Sequence, residues 1–342
     1  MTKRIEFENL LRQGKISRRE FIKITSALGV SAAVAPAFLS SLSHAAEKTP
    51  KKGGLLRLGL AHGNTTDTLD PATQNNAMSG TMYLSLSNTF VEIGPDGGLA
   101  PAIADSWEAS PNAKTWTFKV RQGVEFHNGK TLDADDVIAS INHHRKEDAK
   151  SGAKVLLKSI TDIKKDGKNT LVISLDQSSA DFPFMLADIH ITMLPAKGED
   201  VDWRSGVGTG AYMLEDFEPG VRTALKRFPN HWNKDKGHFE QVEMLSIHDM
   251  AARTNALRTG RVDLIDRIDL KTVDLLSKIK GIKVNEITSL GHYAMPMNTG
   301  VAPYDKNDVR MALKYGIDRK ALLKTLFKGH GQLGNDHPIS PA

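Results

Sequence analysis

Trp116, Phe118 and Val120 alternate with Thr117, Lys119 and Arg121, and no other pattern in the chain restricts its fold as tightly. Side chains on a strand point to opposite faces in turn, so this stretch is predicted to be a strand with one buried and one wet face. The residues after it keep to the same plan. Gln122-Gly123 turns the chain, Val124-Glu125-Phe126 reads as a short strand, and His127-Asn128-Gly129-Lys130 turns it again. Asn-Gly favours the positive φ that a tight turn needs. A helix is predicted from about Ala134, capped by Asp133, with Asp135 and Asp136 in its positive first turn. Val137, Ile138 and Ile141 form its buried stripe. Three neighbouring carboxylates invite a metal or acid–base reading. Adjacent helix positions diverge, however, and capping accounts for the carboxylates better.

Strands and helices alternate elsewhere too. Leu55–Leu60 reads as a first strand running into the polar, turn-rich stretch 62–71, the kind of loop where α/β folds expose polar groups to a ligand. Leu171–Leu175 begins a second unit. Val207-Gly208-Thr209-Gly210-Ala211 suggests a phosphate loop, but it lacks the Lys-Ser/Thr of a Walker motif and Ala211 breaks the dinucleotide spacing. It reads as a packing turn. Met250–Thr259 is a predicted helix stopped by Gly260, with 262–265 a strand behind it. Another helix starts at Asp269 or Thr272, and 282–287 reads as a strand. Helices are also predicted over 307–315 and 319–328, the second capped by Asp318 and closed by Gly329. The fold class is therefore α/β.

The N-terminus has a separate character. Residues 1–23 hold seven Lys or Arg against three Glu, residues 24–43 carry no charge, and Ser43-His44-Ala45 sets small residues before a cut ahead of Ala46. That order matches a cleaved export signal over 1–45. Arg18-Arg19, Phe21 and Lys23 resemble the twin-arginine type, whose export machinery becomes an expected partner. Taking those seven basic and three acidic residues from totals of 45 and 40 leaves 38 and 37. A body so nearly neutral gives no case for nucleic acid. The chain has no cysteine, which excludes disulfides, thiolate nucleophiles and Cys-ligated zinc.

No G-x-S-x-G elbow or H-E-x-x-H helix occurs. His143 and His144 are adjacent, so a helix sets them about 100° apart, unable to chelate one ion, and they read as a solvated face. No catalytic residue, metal site or cofactor is assigned. A secreted hydrolase using carboxylates or histidines that cannot be paired from sequence remains the alternative class.

Six separated motifs resemble the peptide/nickel family of solute-binding proteins that feed bacterial ABC importers. They are Ala104–Ser110 with Trp116–Gly129, Ala134–Val137, Gly208–Tyr212, Ala256–Asp263, Asn298-Thr299, and Val309–Leu313 with Ile317–Arg319. Ala211 stands where the family usually has Pro, and His231 where Tyr more often precedes Trp232. The resemblance implies a two-lobed fold of the type II periplasmic-binding-protein kind with an extra subdomain. In that scheme 46–78 begins the first lobe, 79–200 is the inserted subdomain, 201–255 returns to the first lobe and hinge, and 256–342 starts the second lobe. The family's chains run longer, so the expectation is a chain whose second lobe is incomplete. Function would be periplasmic capture of a peptide or peptide-like ligand and delivery to a membrane permease, by a monomer and without catalysis. Relatives that bind nickel complexes or haem make a metal-chelate ligand the other reading within the fold. Ligand contacts are expected at Thr68, Gln74, Asn75 and Met78, with His190, Tyr293 and Asn298 as further candidates, the last two on a strand.

Overall fold

The computed structural model describes residues 50–95, 97–198, 200–287 and 293–334, so residues 1–45, expected to be an export signal, and the final residues 335–342 lie outside the described part. The chain divides into two units, 1–52 and 53–342, and the second holds all the structure that follows.

Strand β1 (Leu55–Leu60) leads through a 3-10 turn at Pro71–Thr73 into helix α1 (Ala77–Leu86). A small hairpin, β2 (Val91–Ile93) and β3 (Leu99–Pro101), precedes β4 (Ala104–Ala109) and β5 (Thr115–Val120). Helix α2 (Ala134–His143), strands β6 (Ile160–Lys165) and β7 (Thr170–Leu175) and the short helix α3 (Phe182–Met185) follow. Two-residue strands β8 (Ala196–Lys197) and β9 (Asp200–Val201) lead to β10 (Tyr212–Glu218), β11 (Arg222–Arg227) and β12 (Gln241–Ser246). After these come α4 (Met250–Arg258), β13 (Leu264–Ile265), α5 (Val273–Ser277), α6 (Asn307–Gly316) and α7 (Arg319–Thr325).

The larger sheet has the order β10-β11-β12-β1-β13, with β1 parallel to both neighbours and the other pairs antiparallel. Met78, Met82, Tyr83 and Leu86, spaced along one face of α1, pack on Leu58, Leu60, Leu225, Val242 and Met244. The smaller sheet, β4-β5-β7-β6, is wholly antiparallel. The alternation in β5 sends Trp116, Phe118 and Val120 into a second core, which also takes Val137 and Ile141 of α2. There Phe118 packs against Phe90 and Phe182, with ring centroids 5.2 and 6.4 Å away.

Asp133 caps α2 through the Asp135 and Asp136 amides, and the fully buried Asp136 answers by accepting from the Asp133 N–H. Asp136 also accepts from the Ala196 N–H at 2.8 Å and pairs with Lys130. The Gly-Thr-Gly segment is a packing turn. A Cβ at Gly208 would strike the Leu86 carbonyl and one at Gly210 the Ser85 carbonyl, while Thr209 is fully buried beneath them.

The predicted strand at 282–287 does not form; those residues, like the described residues from Tyr293 to Asn298, have no strand partner. Val124–Phe126 is reduced to a single bridge between Glu125 and Thr131.

Candidate ligand-binding cleft

The cleft is built at the carboxyl end of β1. Ala61, just past the strand, donates its N–H to the Asp266 carboxylate at 2.7 Å. The loop beyond it is held from within. Asp67 accepts from the Asn64 N–H at 2.8 Å and from the Asn76 side chain at 2.7 Å. The buried Tyr83 hydroxyl reaches the Thr68 and Asp70 carbonyls at 2.8 and 2.9 Å. Asp70 caps the 3-10 turn by accepting from Ala72, and Asn76 caps α1 by accepting from Ser79. Gln74 and Asn75 lie between these two caps, so the backbone presenting them is fixed at both ends.

The resulting open cleft has a volume of about 660 Å³. His62, Gln74, Asn75 and Asn76 line one part, Thr81 and Ser85 of α1 add hydroxyls, and Leu84 and Ile189 supply apolar wall. Arg267 completes the lining. Amides and hydroxyls beside a limited apolar wall are what a polar small molecule needs for orientation as well as burial. A separate void of about 10 Å³ beside Leu69 and Trp203 has room for one water at most.

Two histidines anchor the loop from beneath. His143 engages Asp70 through Nε2 at 2.9 Å and Asp200 through Nδ1 at 3.0 Å. His190 engages Asp188 through Nδ1 at 2.6 Å, and its Nε2 lies 3.0 Å from the Gln74 carbonyl. Burial opposes the charge on His143, but its bonds and ion pairs with Asp70 and Asp200 outweigh this and raise its pKa. The Asp188 hydrogen bond raises that of His190 against a smaller effect of burial. Burial pushes the Asp200 carboxyl up, yet the Lys146, Val201 and His143 hydrogen bonds bring it down to about 2. His144 is buried, with Nδ1 2.7 Å from the Ser151 hydroxyl, and burial followed by the charge of His143 pushes its pKa down to about 3. The solvated face expected for His143 and His144 is therefore overturned, because Asp70 and Asp200 close over His143 and the segment at Ser151 meets His144. Asp70 and Asp200 sit on opposite nitrogens of the His143 ring, a bridge rather than a chelate. Among the described residues no cluster of His, Asp and Glu could hold a metal ion.

The sequence candidates fall in different places. Gln74 and Asn75 line the cleft. Thr68 belongs to the loop's framework, its hydroxyl accepting from the Asp70 N–H and lying 3.0 Å from that of Thr73. Met78 is 2% exposed inside the core, so it is no adaptable wall; α1 turns it toward the sheet. His190 lies behind Gln74, supporting the loop without lining the cleft. Tyr293 is 89% exposed and packs on Phe327, while Asn298 accepts from the Gly300 N–H. Neither lines the cleft, and neither is on a strand. Sequence reasoning missed His62, Asn76, Thr81, Leu84 and Ser85, which flank the nominated loop residues, and two that come from distant segments, Arg267 and Ile189. A bulky residue just after a short strand gave no local signal for Arg267, and only the fold brings Ile189 to α1.

Comparison with known proteins agrees with this architecture. The Glutathione-binding protein GsiB of Salmonella paratyphi A is 27% identical over 276 residues, covering 79% of this chain and 54% of that protein. This chain thus spans about half the length of the curated relatives it matches. Among solved structures, the PBP AgaA in complex with agropinic acid, from A. tumefacien R10, is 28% identical with a TM-score of 0.69, over 83% of this chain and 58% of that one. The periplasmic binding protein DppA from Helicobacter pylori, in complex with peptide STSA, shares the fold at 24% identity with a TM-score of 0.73, over 85% and 61%. The model for the middle region of the bacterial extracellular solute-binding proteins, family 5, matches residues 98–342, well over half of the chain, and the chain belongs to that family.

Proposed function

We propose that this chain forms part of the extracytoplasmic binding subunit of an ABC importer, capturing peptides or peptide-like solutes and passing them to a membrane permease. The carrying observation is the cleft at the end of β1, where Gln74 and Asn75 are displayed between two capped turns beside Leu84 and Ile189. Side-chain amides offer a donor and an acceptor together, as peptide groups require. The relatives' names support the solute class, since GsiB is named for glutathione and DppA was solved with a peptide. In this reading residues 79–200 are the inserted subdomain and 256–342 begin the second lobe. The protein works in the periplasm as a monomer, reached through the twin-arginine machinery, and performs no chemistry on its ligand.

Isothermal titration of the purified 342-residue chain against a tryptic peptide digest, with mass spectrometry of what is retained, tests this. Saturable retention of peptides that are released unchanged is expected, and Asn75→Ala should weaken it. Time-dependent cleavage of those peptides by the pure protein would replace the binding reading with an enzymatic one.

A further inference from the structure

Arg267 is the cleft residue that the solute-binding reading leaves without a task. It is the second residue after β13 and lines the cleft, and its side chain makes no hydrogen bond or ion pair with any described residue, its backbone carbonyl alone being engaged. Its φ of 47° lies in the left-handed region, where a side chain with a Cβ meets steric opposition that glycine escapes. A long cationic residue held there, exposed and with no side-chain partner among the described residues, keeps its charge open to a solute at the cost of backbone strain.

The framework that holds it is specific. Arg253, only 3% exposed, spends its guanidinium on backbone carbonyls. It donates to Ile247 at 2.7 Å and His248 at 3.1 Å beyond β12, and to Asp266 at 3.1 Å and Arg267 itself at 2.8 Å beyond β13. The neighbouring acid is also committed, since the Asp266 carboxylate receives the Ala61 N–H and faces Arg253 at 3.7 Å. No Asp or Glu lines the cleft, so nothing there competes for the Arg267 cation. With amides and hydroxyls around it, that guanidinium provides a planar pair of donors suited to a carboxylate. A phosphate dianion would call for more than this one side chain.

We infer that Arg267 is the anion-recognising residue of the cleft and that the captured solute carries a carboxylate seated against it. The inference rests on the solute-binding reading above and adds the charge of the solute. It is tested by offering the 342-residue chain an equal mixture of a tryptic peptide digest and the same digest methyl-esterified with an isotopic label. The retained ratio is read by mass spectrometry for wild type, Arg267→Gln and Arg267→Gly. Wild type should prefer the free acids by at least about tenfold, the scale of one charge-assisted hydrogen bond. Both variants should bring the ratio near one, with Arg267→Gly melting no lower than wild type because glycine accepts the positive φ. Equal retention of acids and esters by wild type, an unchanged preference in both variants, or a clear loss of stability in Arg267→Gly would each overturn the inference. The first two leave solute binding standing. Failure of wild type to retain peptides in either form would remove the solute-binding reading, and the inference with it.

Discussion

His143 is held at both ring nitrogens by carboxylates, and it joins the loop that bears Gln74 to the strand that bears Asp200. Its raised pKa makes a definite prediction about pH. A histidine raised on folding contributes fully below its ordinary value near 6.5, and the contribution fades as pH rises through the folded value. Asp70 and Asp200, held low, contribute above about pH 4 and fade as pH falls, so both sides of the bridge are charged from about pH 4 to 6.5. His144 opposes them across that window, because the unfolded chain takes up a proton there that the folded protein refuses. The bridge is therefore isolated by difference. In urea unfolding, the gap between wild type and His143→Gln should be largest near pH 5.5 and shrink by pH 8.5; a constant gap would show that packing alone is lost. A second contrast separates framework from site. Met78→Ala should cost about 2–5 kcal/mol, as for a buried methionine, whereas Asn75→Ala should shift stability by no more than about 0.5 kcal/mol while weakening peptide retention.

Helix α2 shows what a linear pattern can and cannot announce. Asp133, Asp135 and Asp136 mark its start because capping is a contact between residues two or three apart, and local contacts are legible in sequence. The deeper part played by Asp136 is not local. Its bond to the Ala196 N–H spans 60 residues, and only the folded chain reveals it. Asp133→Ala should therefore cost about 1 kcal/mol and Asp136→Ala about 2–3 kcal/mol, since the second takes the acceptor from two half-buried N–H groups, those of Asp133 and Ala196, while the exposed Lys130 stays hydrated. The reverse order in urea denaturation would mean that the tie to β8 is of little consequence. Strand β5 was equally readable, because alternation alone decides which side chains enter the core. The parallel pairing of β1 with β12 was not, since it joins residues about 186 apart, Leu55 with Gln241. The failed strand at 282–287 has the same cause. Ile282, Val284 and Ile287 have the right side chains, but a strand needs a partner edge as well as a pattern. Gln74 and Asn75 could be nominated from their loop; His143 and Arg267 acquire their surroundings only when distant segments meet.

Burial is very unevenly distributed along the molecule, and that has a mechanical consequence. Both cores draw on residues up to Met244, and Ala256 and Val262 are buried just beyond, but among the described residues after Val262 the one buried apolar side chain is Leu276. Helices α6 and α7 contain no buried residue, although α6 carries Val309, Met311 and Leu313. Leu275, Met295, Tyr315 and Leu326 are all more than 60% exposed. Local opening free energy follows buried apolar contact, so this region should open far more readily than the two sheets. Brief trypsin treatment of the 342-residue chain under native conditions should cut first at the lysines and arginines between Lys271 and Lys328. Lys278, Lys280, Lys283, Lys320 and Lys328 are all exposed there. A resistant product reaching from about Gly53 to the neighbourhood of Arg267 should then persist, retaining Trp116, Phe118 and the cleft. Exposed sites also occur in the β6–β7 hairpin, at Lys164 and Lys165 at the end of β6 and Lys168 in the turn, and they supply the control. If the first cuts fall there, exposure rather than missing core governs access, and the two sheets are no more stable than the helices that follow them.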